Sequence, residues 1–140
     1  MIRIVEAMTA EDTARMEAQR SWVREYYAPE ARSGYDMVEG KLALLDTILD
    51  SGGVDATETL KFQCLGIAFG DAMAQRLDLR WITVEDEYGR DLALKRDDTS
   101  LLAFPLTTIT KRIERGETVD VRVLFESACS AIEQAIRDGV

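Results

Sequence analysis

Histidine is absent from this 140-residue chain. That removes the usual general base near neutral pH and the commonest transition-metal ligand. Ser-His-Asp and Cys-His machinery, zinc hydrolase centres and iron facial triads are excluded with it. Carboxylates, Lys and Tyr are what a catalytic reading has left. Cysteine occurs twice, and Cys64 and Cys129 lie in apolar stretches of helical spacing with no Cys-x-x-Cys motif. Both are expected as buried free thiols. With two prolines and no Gly/Ser-rich tract, no linker is marked, and residues 1–140 are expected to form a single domain.

Long apolar runs are also missing. The opening Met1-Ile2-Arg3-Ile4-Val5-Glu6 offers no signal-peptide core, and nothing later approaches the roughly 20 apolar residues a membrane span needs. Positive charge is in deficit: 17 basic against 26 acidic residues give a net charge of -9. Such a surface repels nucleic-acid backbones and anionic membranes, and it attracts a basic protein if anything. These traits together point to a cytoplasmic protein.

What is present is a sequence of amphipathic segments. Thr9 and Asp12 form a capping-box pattern ahead of a helix carrying Met16, Trp22, Val23, Tyr26 and Tyr27, which Pro29 stops. Val38, Leu42, Leu45 and Leu49 make the stripe of a second helix, ended by Gly52-Gly53. A third, capped by Asp55 or Thr57, runs to Leu77 and is apolar on nearly every side, which predicts a central position. Gly66 and Gly70, one turn apart, leave part of it bare for a close neighbour or a ligand.

The period then falls to two in Trp81–Glu85 and Asp91–Lys95, with a Gly-containing loop Asp86–Arg90 between them and a short third strand Leu101–Phe104. Ile2–Val5 is a possible addition at the edge of this sheet. Pro105 opens a fourth helix that Gly116 stops, and a fifth begins near Asp120. The expected class is α+β: about five helices packed on one face of a three-stranded antiparallel meander.

The central and C-terminal segments, Leu65-Gly66-Ile67-Ala68-Phe69-Gly70, Trp81 to Gly89, Phe104-Pro105-Leu106 and Lys111-Arg112-Ile113-Glu114-Arg115-Gly116, resemble a bacterial family known only as a domain of unknown function. The resemblance spans about half the chain. It implies an α+β domain of unassigned activity and brings no catalytic residues.

Three local features are candidates for interaction. Glu85, Asp86 and Tyr88 sit in an acidic hairpin, with Glu87, Asp91 and a counter-charge on Arg90. Alternation sends Glu85 and Asp86 to opposite faces, so a metal ion is not expected there. Lys111 and Arg112 sit with Arg115 at the wrong end of a helix for anion binding, where they suit the helix dipole and ion pairs with Glu114 and Glu117. Trp22, Tyr26 and Tyr27 are either core or an open aromatic patch. Trp81 is expected to pack across the sheet edge.

No cofactor, metal or catalytic residue is assigned. The favoured reading is a non-catalytic acidic domain that binds another protein, basic or a second copy of itself. The alternative is a small enzyme or ligand-binding domain using Glu85, Asp86, Tyr88 or Arg112 in a cleft between hairpin and helices.

Overall fold

The computed structural model describes residues 4–25, 34–50, 59–115 and 117–139. Tyr26, Tyr27, Pro29, the stop at Gly52-Gly53, the caps at Asp55 or Thr57, and Gly116 lie outside the described residues. The chain order is β1 (Ile4–Ala7), α1 (Ala10–Arg24), α2 (Val38–Asp50), α3 (Thr59–Leu77), β2 (Arg80–Asp86), β3 (Gly89–Lys95), β4 (Leu102–Ala103), α4 (Pro105–Glu114) and α5 (Val121–Arg137). The class is α+β, with five helices and an antiparallel sheet ordered β1-β2-β3-β4.

The meander therefore has four strands rather than three. The extra one, β1, pairs with β2 from Ile4 opposite Glu85 to Ala7 opposite Ile82. It answers to the edge addition expected at Ile2–Val5; all four of its residues are exposed, so no buried alternation fixes its bounds in the sequence. The hairpin is also tighter than its composition implies. Strand β2 continues through Asp86, the turn is Glu87-Tyr88, and β3 resumes at Gly89, whose φ of 124° favours glycine.

Residues paired directly across an antiparallel ladder share a face. Trp81 and Leu94 therefore lie on one side, where both join the main helical core. Ile82 and Ala93 lie on the other, and with Val84, Leu102 and Phe104 they form a second, smaller cluster. The middle of the sheet is thus buried from both sides, not from one.

Helix α3 is central, as its apolar character predicts: Phe62, Leu65, Ile67, Ala68, Phe69, Ala72 and Met73 are all buried. Phe69 meets Phe125 of α5 edge to face, with ring centroids 5.9 Å apart. The bare patch at Gly66 and Gly70 is filled by protein. A Cβ at Gly66 would lie 2.8 Å from the Leu106 backbone, and one at Gly70 would run into the Trp81 ring and come within 2.8 Å of Pro105. These two glycines let α4 and β2 press against the helix backbone. Cys64 and Cys129 are free and buried, and burial raises both thiols, Cys129 to about 11. Among the described residues no helix is long and apolar enough to cross a membrane.

Candidate functional site

The end of the sheet formed by β1 and the β2–β3 turn carries the clearest exposed feature. Ile4 and Val5 are 45% and 42% exposed and Tyr88 is 84% exposed. Around them Glu6, Glu85, Glu87 and Asp91 are also exposed. Asp86 accepts the Tyr88 backbone N–H at 2.8 Å, which fixes the turn.

Arg90 stands opposite Glu85 in the hairpin, as its expected counter-charge, but its strongest partner is Asp12. Its guanidinium reaches across to α1 and holds both carboxylate oxygens of buried Asp12, with Nη1–Oδ1 at 2.8 Å and Nη2 on Oδ2. Asp12 also closes the capping box: it accepts the Thr9 N–H at 2.9 Å, while its own N–H donates to Thr9 Oγ1 at 3.1 Å. One carboxylate thus caps α1 and clamps it to β3, while Arg90 stays opposite Glu85 and within reach of the Glu6 and Glu85 charges.

The Arg90 hydrogen bonds and the Thr9 N–H hold the Asp12 carboxyl well below its ordinary value of 3.8. A carboxyl lowered in the folded state contributes stability above its unfolded value, and that stability is lost as pH falls. Asp12→Asn is expected to be less stable than the natural chain at neutral pH, with the gap closing below about pH 4. Urea midpoints at stepped pH check this; a gap that persists unchanged at low pH sinks the assignment.

A second polar constellation lies inside the helical layer and centres on Asp71 of α3. Arg20 of α1 grips it with Nε–Oδ2 at 2.6 Å and Nη2–Oδ1 at 2.9 Å. The Tyr35 hydroxyl donates to Oδ2 at 2.5 Å, and Trp81 Nε1–H donates to Oδ1 at 2.9 Å. Four donors fill the acceptor sites of the carboxylate. Burial, then the Asp71 charge, pushes the Tyr35 hydroxyl far above its usual range, so it stays protonated.

Beside it, buried Lys41 donates to Gln75 Oε1 at 2.5 Å and lies 5.0 Å from the Tyr35 ring centroid. Burial lowers its pKa. This cluster fastens α1, the turn before α2, α3 and β2 together. Its carboxylate is saturated, so it is built to hold the fold.

Sequence reading did not single out Asp71 or Lys41. The available signal was that Asp71 is the sole acid within Thr59–Leu77, and an acid in a helix apolar nearly all round must find buried partners. Trp81, expected at the sheet edge, instead stacks on Gly70 of α3 and serves this cluster, because β2 is an inner strand flanked by β1 and β3.

The remaining sequence candidates fall elsewhere. Trp22 is half-buried on α1, with Lys61 Nζ 5.9 Å from its ring centroid. Together with Ala18, Gln19, Leu60 and Cys64 these two residues line an open groove of about 320 Å³. Tyr26 and Tyr27 lie outside the described residues. Lys111 and Arg112 are exposed on α4, and among the described residues no ion pair joins them to Glu117 or to the hairpin acids. Arg112 borders a smaller concavity of about 190 Å³ beside the start of α5. Among the described residues no group of three or more Cys, Asp or Glu is placed to hold a metal ion.

A family model described as a domain of unknown function (DUF3806) matches residues 41–125, well over half of the chain. The chain belongs to that family. The matched span of this DUF3806 protein takes in α3, the β2–β3–β4 hairpins and α4, together with Asp71, Trp81, Gly66 and Gly70. No curated protein matches the sequence.

A crystal structure from Bacteroides thetaiotaomicron VPI-5482 is similar with a TM-score of 0.73 at 13% identity, over 91% of this chain and 47% of that one. At that identity the likeness is one of fold. The DUF3806 chain spans about half the length of this neighbour.

Proposed function

We propose that this chain is a non-catalytic, cytoplasmic, single-domain binding protein whose partner is a basic protein, engaged at the sheet end formed by β1 and the β2–β3 turn. The observation that carries the reading is the exposure of Ile4, Val5 and Tyr88 among Glu6, Glu85, Glu87 and Asp91, an excess of acid over the nearby cation Arg90, which stands opposite Glu85 and gives its hydrogen bonds to Asp12. Exposed apolar side chains ringed by charge of one sign are the usual make-up of a recognition surface. Two free, buried cysteines accord with a reducing compartment. The enzyme alternative has less support: Tyr88 projects into solvent at a turn, and Arg112 belongs to a helix packed on α3.

The test is capture from native cytoplasm with the purified chain and with two charge-reversed variants. Glu85→Lys with Glu87→Lys alters the proposed surface; Glu117→Lys with Asp138→Lys alters net charge equally elsewhere. A stoichiometric basic partner is expected to bind the natural chain and the second variant. It should be lost from the first variant, and from all three as salt rises from about 10 mM to about 500 mM and the screening length shrinks. Capture that ignores the position of the reversal, or no partner at low salt, overturns the proposal.

A further inference from the structure

We infer that the β1 edge accepts an extended segment as a fifth strand, with basic side chains on one face and apolar side chains on the other. This rests on the protein-binding reading of the same surface and names how the partner is held.

The sheet has two edges. The β4 edge is two residues long and runs directly into Pro105 and α4, too short to template a strand. Among the described residues no strand lies beyond the four-residue β1 edge. Proteins usually blunt an exposed edge with a proline, a bulge or a covering element. Ile4–Ala7 contains no proline, its register with β2 runs without a bulge, and all four residues are open to solvent. In an antiparallel ladder alternate residues of an edge strand turn their backbone N–H and C=O groups away from the sheet, and along β1 those groups face outward.

Register then decides which side chains an added strand would meet. Ile4 pairs with Glu85 and Glu6 with Thr83, so Ile4, Glu6 and Glu85 share one face of the sheet; Arg90, opposite Glu85 on the inner side, gives its hydrogen bonds to Asp12. Val5 pairs with Val84 and Ala7 with Ile82, so the opposite face is apolar at the edge. An incoming segment of alternating Lys or Arg and Val or Ile matches both faces at once. A second copy of this chain does not, because two β1 edges side by side would set Glu6 and Glu85 against their own kind.

The test uses the full chain and three short synthetic peptides, each read by backbone amide shifts and by amide exchange. The first alternates Lys and Val, the second has the same composition in two blocks, and the third is the alternating peptide N-methylated on every second backbone amide, made in both phases. The alternating peptide is expected to shift and protect the amides of residues 4–7. Blocking its order, or N-methylating one phase but not the other, should weaken it about tenfold or more. Glu6→Gln with Glu85→Gln should weaken it to a similar degree, with unchanged Asp12 and Arg90 amide shifts showing that their ion pair survives the change.

Equal binding by the block peptide and by both N-methylated phases would overturn strand addition while leaving an electrostatic surface intact. Protection of residues 4–7 in the concentrated protein alone, together with a dimer mass, would assign the edge to a second copy and overturn it as well. No binding by any peptide at low salt would remove both this inference and the reading beneath it.

Discussion

Asp71→Ala is expected to lower the unfolding free energy by about 3 kcal/mol or more, against a total of about 5–15 kcal/mol for a domain of this kind. The carboxylate carries four hydrogen bonds from three elements, two of them from Arg20. Removing it leaves the Arg20 guanidinium, whose side chain is 22% exposed, without its buried counter-ion. It also leaves the Tyr35 and Trp81 donors without an acceptor. Loss of one member of a buried pair costs more than the pair itself contributes, because the survivor stays partly desolvated; the partial exposure of Arg20 and its remaining bond to Glu17 at 2.7 Å keep the expected value near the low end.

Tyr35→Phe and Trp81→Phe delete donors one at a time and are expected to cost about 1 kcal/mol each. Urea unfolding of the three variants checks this. An Asp71→Ala loss no greater than that of Tyr35→Phe would show that the cluster does not act as a unit.

Gly70→Ala is expected to destabilise by about 2–3 kcal/mol, although the same change at an open helix position stabilises by about 1 kcal/mol. The sign is the informative part. The new Cβ would strike the Trp81 ring and come within 2.8 Å of Pro105, and the Trp81 ring cannot swing aside without breaking its hydrogen bond to Asp71. The near-ultraviolet dichroism of Trp81 should change with the loss of stability. Gly66→Ala is expected to move in the same direction by about 1–3 kcal/mol, because the atom in its way belongs to the Leu106 backbone and relief requires α4 to shift. A stabilised Gly70→Ala would mean that β2 and α4 do not press on α3 as described.

Several parts of this architecture were legible in the residues because the relevant physics is local. Thr9 and Asp12 do make the capping box their spacing announces, and the C-terminal helix buries Val121, Leu124, Phe125 and Ile132 on one stripe. The bare face at Gly66 and Gly70 is a packing surface, as expected of glycines one turn apart in an apolar helix. Other parts were not legible. Strand β1 was legible only as an edge addition at Ile2–Val5; its extent through Ala7 depends on Ile4–Glu85 and Ala7–Ile82 pairing with a partner almost eighty residues away, and it buries nothing that periodicity detects. Arg90 does stand opposite Glu85 as a counter-ion for its hairpin, yet its bidentate hydrogen bonds to a carboxylate on α1 could not be read from proximity in sequence.

The sequence by itself determined the classes of chemistry that are closed to this chain, the character of most helices, the central place of α3 and the burial of both thiols. These follow from composition and from periods of two and 3.6, which act over a few residues. Only the tertiary structure decided which groups meet: Asp71 with Arg20, Tyr35 and Trp81, Asp12 with Arg90, and Glu6 with Glu85 along an open edge. Such pairings depend on how distant elements pack, and the free energy of a charge depends on what surrounds it in space rather than on what precedes it in the chain.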